Sequence, residues 1–73
     1  MTGLEYANRM QVIIKAYESQ QESISRIYNK RYENAMTTAA VLRLNAWHDE
    51  KTAKLNEWYG RSIRELTEQE HEA

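Results

Sequence analysis

The chain has 73 residues, ten basic and eleven acidic side chains, a net charge of −1 and no cysteine. A chain of this length forms a single domain over residues 1–73 at most, and one hydrophobic core is only marginally sufficient at this size. A small core is usually stabilised further by disulfides, a bound metal or self-association. Disulfides are excluded and a structural metal site is improbable with so few ligands, so we expect self-association. The even charge excludes strong generic attraction to nucleic acid or membranes, which needs a basic excess.

No cofactor or membrane is expected. The longest apolar runs are far shorter than the roughly 18 residues of a membrane span, and the first fifteen residues lack a secretion signal, so we expect a cytoplasmic protein. His48 and His71 are the only histidines. Glu68 and His71 have the Glu-x-x-His spacing of di-iron bundles, but that chemistry needs two such motifs and further carboxylates, and one copy is present. We therefore predict no metal site.

The composition predicts an all-α fold. Proline is absent, and glycine occurs only at positions 3 and 60. Alanine, glutamate, glutamine, lysine, arginine, leucine and methionine are abundant, and these residues lose little conformational freedom in a helix. A β-fold would need turn residues every dozen positions or so, which this chain lacks.

The first half carries one apolar stripe whose positions advance by four, three and four residues. An eleven-residue period of this kind, a hendecad, gives about 3.67 residues per turn and so suits an almost undistorted helix. Thr2 and Glu5 form a plausible capping box. We predict a first helix over about residues 3–35. Its stripe consists of Tyr6, Met10, Ile13, Tyr17, Gln21, Ile24, Tyr28, Tyr32 and Ala35.

The second half repeats the period with a different phase. The stripe contains Leu44, Trp47, Lys51, Leu55, Trp58, Ser62 and Leu66, and Val41, His48, Tyr59 and Ile63 widen it. The phase breaks near residues 36–37, where Thr37 or Thr38 can cap a new helix. We therefore predict a second helix over about residues 38–70, with an acidic end that frays from about residue 68. A rival break lies at Ser19 and Glu22, which also fit a capping box.

A break at residues 36–37 folds the chain into an antiparallel helical hairpin, in which the numbers of facing residues add up to 72 or 73. Each apolar stripe is wider than the roughly 100° of helix surface that one neighbouring helix covers. Two neighbouring helices are therefore required to bury it. Two hairpins that dimerise into a four-helix bundle provide them. The predicted core and dimer-interface residues are Tyr6, Met10, Ile13, Tyr17, Ile24, Tyr28, Leu44, Trp47, Leu55, Trp58, Tyr59 and Leu66.

Gln21 and Lys51 interrupt the apolar stripes, and the predicted pairing places them opposite each other. In one interpretation they form a polar layer that fixes the register and the oligomeric state. In the other, the lysine packs only its aliphatic stem and keeps its ammonium group in water.

Arg26, Lys30 and Arg31 lie among Tyr28 and Tyr32, and basic residues interleaved with aromatic ones can grip phosphates and stack on bases. The alternative is a solvated face of mixed charge, because several glutamates share the outer side of this helix. A nucleic-acid-binding patch is therefore the second hypothesis for this segment.

The sequence contains no nucleophile–base pair, no phosphate loop and no cluster of metal ligands, so we expect a protein that is not an enzyme. In size and composition the chain resembles the small, cysteine-free helical accessory proteins of bacteriophages and plasmids. That resemblance implies a protein-interaction module that binds and modulates another protein, in the host cytoplasm if the source is a phage. The alternatives are a regulator that binds nucleic acid and a structural subunit of a longer coiled coil.

Overall fold

The chain folds into two long helices joined by a tight turn. The computed structural model describes the backbone of residues 2–72 and the side chains of residues 2–70. Helix α1 spans Gly3–Asn34 and helix α2 spans Thr38–Glu72. The predicted all-α antiparallel hairpin is therefore confirmed, and α2 extends two residues beyond the predicted end. The C-terminal fraying predicted from about residue 68 falls partly on side chains outside the described residues.

Both helices begin at threonines that satisfy free backbone N–H groups. The backbone N–H of Glu5 donates to Oγ1 of Thr2 at 3.1 Å, and that of Ala40 donates to Oγ1 of Thr37 at 3.1 Å. Each first turn of a helix leaves such groups without intrahelical partners, so both hydroxyls favour the observed starts. Helix α1 ends where Ala35 adopts an extended conformation. The rival break at residues 19–22 is wrong, because α1 continues through it without interruption.

The hairpin is long and thin, and it buries little. Its Cα atoms extend over 54 × 15 × 6 Å. Among the described residues, the buried ones are Leu44, Leu55 and Leu66, which retain 7%, 6% and 5% of their accessible surface. All three belong to α2 and are eleven residues apart, whereas α1 has no buried residue. Two helices packed along one seam can cover only the centre of each apolar stripe.

The register of the hairpin is set by side chains that lean along the helices. The hydroxyl of Tyr17 donates to Oδ1 of Asn56 at 2.9 Å, and its ring lies 4.5 Å from that of Tyr59. The numbers of these facing residues add up to 73, as predicted, and to 76, which is about one helical turn further along α2. Side chains tilt toward the N-terminus of their own helix. In an antiparallel pair the two helices have their N-termini at opposite ends. A long side chain on either helix therefore contacts a residue with a higher number than the one directly across from its Cα, and the sum of the two residue numbers rises.

Several large apolar side chains remain exposed on this hairpin. Tyr32, which the sequence pattern places on the stripe, stacks on Tyr28 with ring centroids 6.0 Å apart but remains 53% exposed. The others are Leu4, Val12, Ile27, Met36 and Leu42. Over the residues that the structure describes, neither helix offers an apolar segment that would cross a bilayer.

Candidate interaction surface

The two broad sides of the hairpin differ in how well they are closed. The side that we call the tyrosine face carries Tyr17 and Tyr28 of α1 and their partners on α2. The opposite side, called the tryptophan face, carries Trp47 and Trp58 of α2. The three buried leucines lie between the two faces, and Leu55 lines a cleft on each of them.

The tyrosine face is closed by paired contacts that recur after eleven residues. Tyr17 donates to Asn56, and Tyr28 donates to Oδ1 of Asn45 at 2.7 Å. The Tyr28 ring meets His48 edge-on with ring centroids 4.9 Å apart, at the place where Tyr17 meets Tyr59 in the preceding repeat. The cleft left between these two sets has a volume of only about 90 Å³. This face already has its hydrogen-bond and ring partners.

The tryptophan face is open and holds two larger clefts. The first, of about 360 Å³, has Leu66 in its wall together with Arg9, Val12, Ile13, Ser62, Glu65 and Gln69. The second, of about 330 Å³, has Leu55 in its wall together with Gln20, Ile24, Lys51, Lys54 and Trp58. Buried leucines are thus reached from this side through shallow grooves.

Polar side chains bridge the helices along the edges of the tryptophan face. The guanidinium group of Arg9 donates to Oε1 of Gln69 at 3.2 Å. That of Arg31 lies over the Trp47 ring, 5.0 Å from its centroid. Between these bridges, Gln20 and Trp58 line the same cleft. Successive positions of this set are eleven residues apart on each helix. The same kind of contact between the helices is therefore repeated three times along this face, with different side chains.

None of the twelve predicted core and interface residues is exposed in the hairpin. The three leucines are buried, and the half-buried positions are Tyr6, Met10, Ile13, Tyr17, Ile24, Tyr28, Trp47, Trp58 and Tyr59. The half-buried rings keep part of their surface in solvent, so the hairpin alone does not use the whole predicted interface.

Gln21 and Lys51 do not lie side by side in the hairpin. Both side chains are exposed, the glutamine beside the small cleft of the tyrosine face and the lysine beside the second cleft of the tryptophan face. Within one chain they form no polar layer. A layer made between two copies stays a prediction.

The predicted nucleic-acid patch is divided between different surroundings. Arg26 pairs with Glu22 at 3.2 Å on the outer side of α1, and both side chains are exposed. Lys30 and Arg31 are both exposed, and the guanidinium group of Arg31 lies over the Trp47 ring. Since consecutive helical residues point about 100° apart, Lys30 and Arg31 diverge. The binding of nucleic acid by these residues stays an untested prediction.

Two pairs of ionisable side chains on α2 lie at the solvent-exposed edges of the hairpin. Nζ of Lys54 lies 3.0 Å from Oε1 of Glu50, and its hydrogen bond and charge hold the pKa of that carboxyl below its ordinary value. Nδ1 of His48 lies 3.7 Å from Oδ1 of Asp49. No group of three or more histidine or acidic side chains suited to a metal ion occurs in the described part of the chain. The side chain of His71, considered with Glu68 as a metal motif, lies outside that part.

Sequence reasoning missed the role of Val12 and Gln20 on the tryptophan face, because neither belongs to the main apolar stripe. The signal that could have found them is their position on the flank of that stripe, beside Ala16 and Ile27.

No family model matches the chain, and neither a curated protein nor a solved structure matches it. The function is therefore argued from the surface itself.

Proposed function

We propose that this protein is a non-enzymatic interaction module, a homodimeric four-helix bundle that binds and modulates another protein. The open tryptophan face carries the proposal. It exposes half-buried indole rings and two clefts that lead to buried leucines. Exposed apolar groups rimmed by polar side chains, as in these clefts, are typical of interaction sites.

The dimensions of the hairpin suit a second copy. A broad face of 54 by 15 Å has an area of about 800 Å², which is what each partner contributes to a stable protein interface of standard size. The eleven-residue interval of the contacts also supports a bundle, because a hendecad keeps the same sides of straight helices in contact over their whole length. A dimer would thus give each helix the second neighbour that the width of its stripe requires.

Measurement of the molar mass tests dimerisation directly. Size-exclusion chromatography with light scattering at micromolar concentration should give about twice the chain mass of 8.7 kDa. Val12→Arg should shift the protein toward monomer, since this 68% exposed side chain lines the first cleft. Leu42→Arg is the matched control, because Leu42 is similarly exposed at 62% but lines neither cleft. A wild-type monomer would refute the dimer.

Binding to another protein is tested with the dimer as bait. Affinity capture followed by mass spectrometry should identify a partner, and the purified partner should then bind the wild type in a direct titration. If the only interactions found are with other copies of the chain, the modulating role is wrong although the dimer stands.

The competing nucleic-acid hypothesis predicts a different result. Binding of RNA or DNA through Arg26, Lys30 and Arg31 would weaken steeply as salt rises, because phosphate contacts release counterions. We expect no binding to mixed oligonucleotides at low salt. Binding with a steep salt slope that Arg26→Gln and Lys30→Gln reduce would overturn the protein-interaction proposal in favour of this one.

A further inference from the structure

The exposed side of α1 next to the tryptophan face has a symmetric sequence. Val12 and Ile27 are large and exposed, at 68% and 38%, and between them lie the small residues Ala16 and Ser23. The steps of four, seven and four residues keep these side chains on one side of the helix. Apart from Ser19 and Gln20 at the centre, the order read in either direction is one large residue, two small ones and one large residue. The centre lies between residues 19 and 20.

Helix α2 has a symmetric pattern of charge about its own centre. Glu50, Lys54, Glu57 and Arg61 alternate in sign. If two copies of this helix ran antiparallel with residues 55 and 56 at the centre, each Glu50 would face the partner's Arg61 and each Lys54 the partner's Glu57. All four contacts would then join opposite charges. A parallel arrangement in register would instead place like charges side by side.

The fold brings these two centres to the same level. Facing residues have numbers that add up to 73 for Tyr17 and Asn56 on the tyrosine face and to 78 for Arg9 and Gln69 on the tryptophan face. The centres of the two patterns add up to 75, which lies between these values. One two-fold axis at right angles to the helices therefore passes within about one helical turn of both centres. Nothing in either pattern alone requires this agreement.

From this agreement we infer that a second copy packs on the tryptophan face with α1 antiparallel to the partner's α1 and α2 antiparallel to the partner's α2. The two turns then lie at opposite ends of the bundle. This inference rests on the proposed dimerisation and adds its face and direction.

The geometry gives the exposed residues of α1 a place in the dimer. Val12 forms part of the first cleft, and the antiparallel arrangement brings the partner's Ile27 to it, so each copy fills a cleft of the other. Ala16 and the partner's Ser23 face each other beside Gln20, which lies at the centre. The same arrangement brings two cations, Arg9 and the partner's Lys30, to the same level. The guanidinium group of Arg9 is hydrogen-bonded to Gln69 of its own chain.

Exchange of charges on α2 tests the direction of packing. Glu50→Arg or Arg61→Glu alone places like charges opposite each other twice per dimer, and each should raise the dimer dissociation constant about fivefold or more. The double variant restores opposite charges across the interface, so its dissociation constant should return to within about twofold of the wild type. Sedimentation equilibrium measures all of these values.

The charge exchange separates contacts between copies from those within a helix. The double variant loses the pair of Glu50 with Lys54 and puts a carboxylate at position 61, near Glu57 of its own chain, so recovery of dimerisation cannot come from the hairpin. Asp49→Arg is the control for altered net charge, because Asp49 points about 100° away from Glu50. It should leave dimerisation unchanged. Failure of the double variant to recover would overturn the inferred direction.

A distance measurement gives an independent answer. The chain has no cysteine, so a spin label on Glu33→Cys is unique in each copy. The inferred arrangement separates the two labels by about 27 residues along the helices, or about 40 Å at 1.5 Å per residue. If the turns were at the same end, the labels would lie within roughly 25 Å, two helix diameters.

The possible results distinguish the inference from the function on which it rests. A dimer with labels about 40 Å apart supports both. A dimer with labels close together overturns the inferred packing and leaves dimerisation intact. A protein that stays monomeric at every concentration overturns the proposed dimer, and the inferred packing with it.

Discussion

Leu55→Ala tests a packing contact at the middle of the hairpin. Leu55 lies midway along α2, is 6% exposed and forms part of the wall of clefts on both faces. Truncation of a buried leucine to alanine costs about 2–5 kcal/mol, and the cost is smaller where neighbours can relax into the space. Because clefts adjoin Leu55 on two sides, we expect a loss of about 2–3 kcal/mol.

A loss of this size is large for so short a chain. At about 0.05–0.15 kcal/mol per residue, the free energy of unfolding of a 73-residue protein is roughly 4–11 kcal/mol. We therefore expect Leu55→Ala to remove roughly a fifth or more of it. In a domain of this size, that loss lowers the melting temperature by about 8–24 °C.

Urea unfolding followed by circular dichroism measures the change, with all proteins at one concentration because a dimer unfolds with a concentration-dependent midpoint. Leu42→Ala is the matched control. It makes the same substitution in the same helix at a residue that is 62% exposed, so its effect should stay within about 0.5 kcal/mol. Equal losses for the two variants would refute the reasoning, since helix propensity rather than burial would then control stability.

Three further predictions concern the helices themselves. Gly60→Ala should raise the free energy of unfolding by about 1 kcal/mol, since its added Cβ meets open space in a helix interior; thermal denaturation would show it, and destabilisation would contradict it. Thr37→Ala should cost about 1 kcal/mol in urea unfolding because Ala40 loses its capping acceptor, and Thr37→Ser should not. The lowered pKa of Glu50 should give the wild type an advantage over Glu50→Gln that is present at neutral pH. That advantage should disappear as the pH falls through the lowered pKa, and unfolding curves that differ equally at all pH values would contradict the role of Lys54.

The sequence predicted the helices and the turn because their causes are local. Thr2 and Thr37 supply hydroxyl groups to the first turns, and helix-forming residues occupy the intervening positions. The change of phase between the two apolar stripes placed the turn at residues 36–37, between the observed end of α1 at Asn34 and the start of α2 at Thr38.

The register was predicted only to within about one helical turn. Counting from the turn pairs Tyr28 with Leu44 or Asn45, and its hydroxyl does reach Asn45, whereas its ring reaches His48 about one turn away. Counting residue numbers from the turn predicts which backbone positions of the two helices lie opposite each other. The length and tilt of a tyrosine side chain decide which atoms meet, and a pattern of apolar positions does not contain that information.

The composition and the period of the sequence by themselves determined an all-α hairpin with more apolar surface than one seam can cover. Only the tertiary structure decided which side stays open. Tyrosines long enough to reach asparagines on α2 close one face. On the other face, the side chains bridge only the edges and leave clefts above Leu55 and Leu66. The physical reason is that periodicity depends on the spacing of residues along one helix, whereas closure depends on the reach of side chains between two.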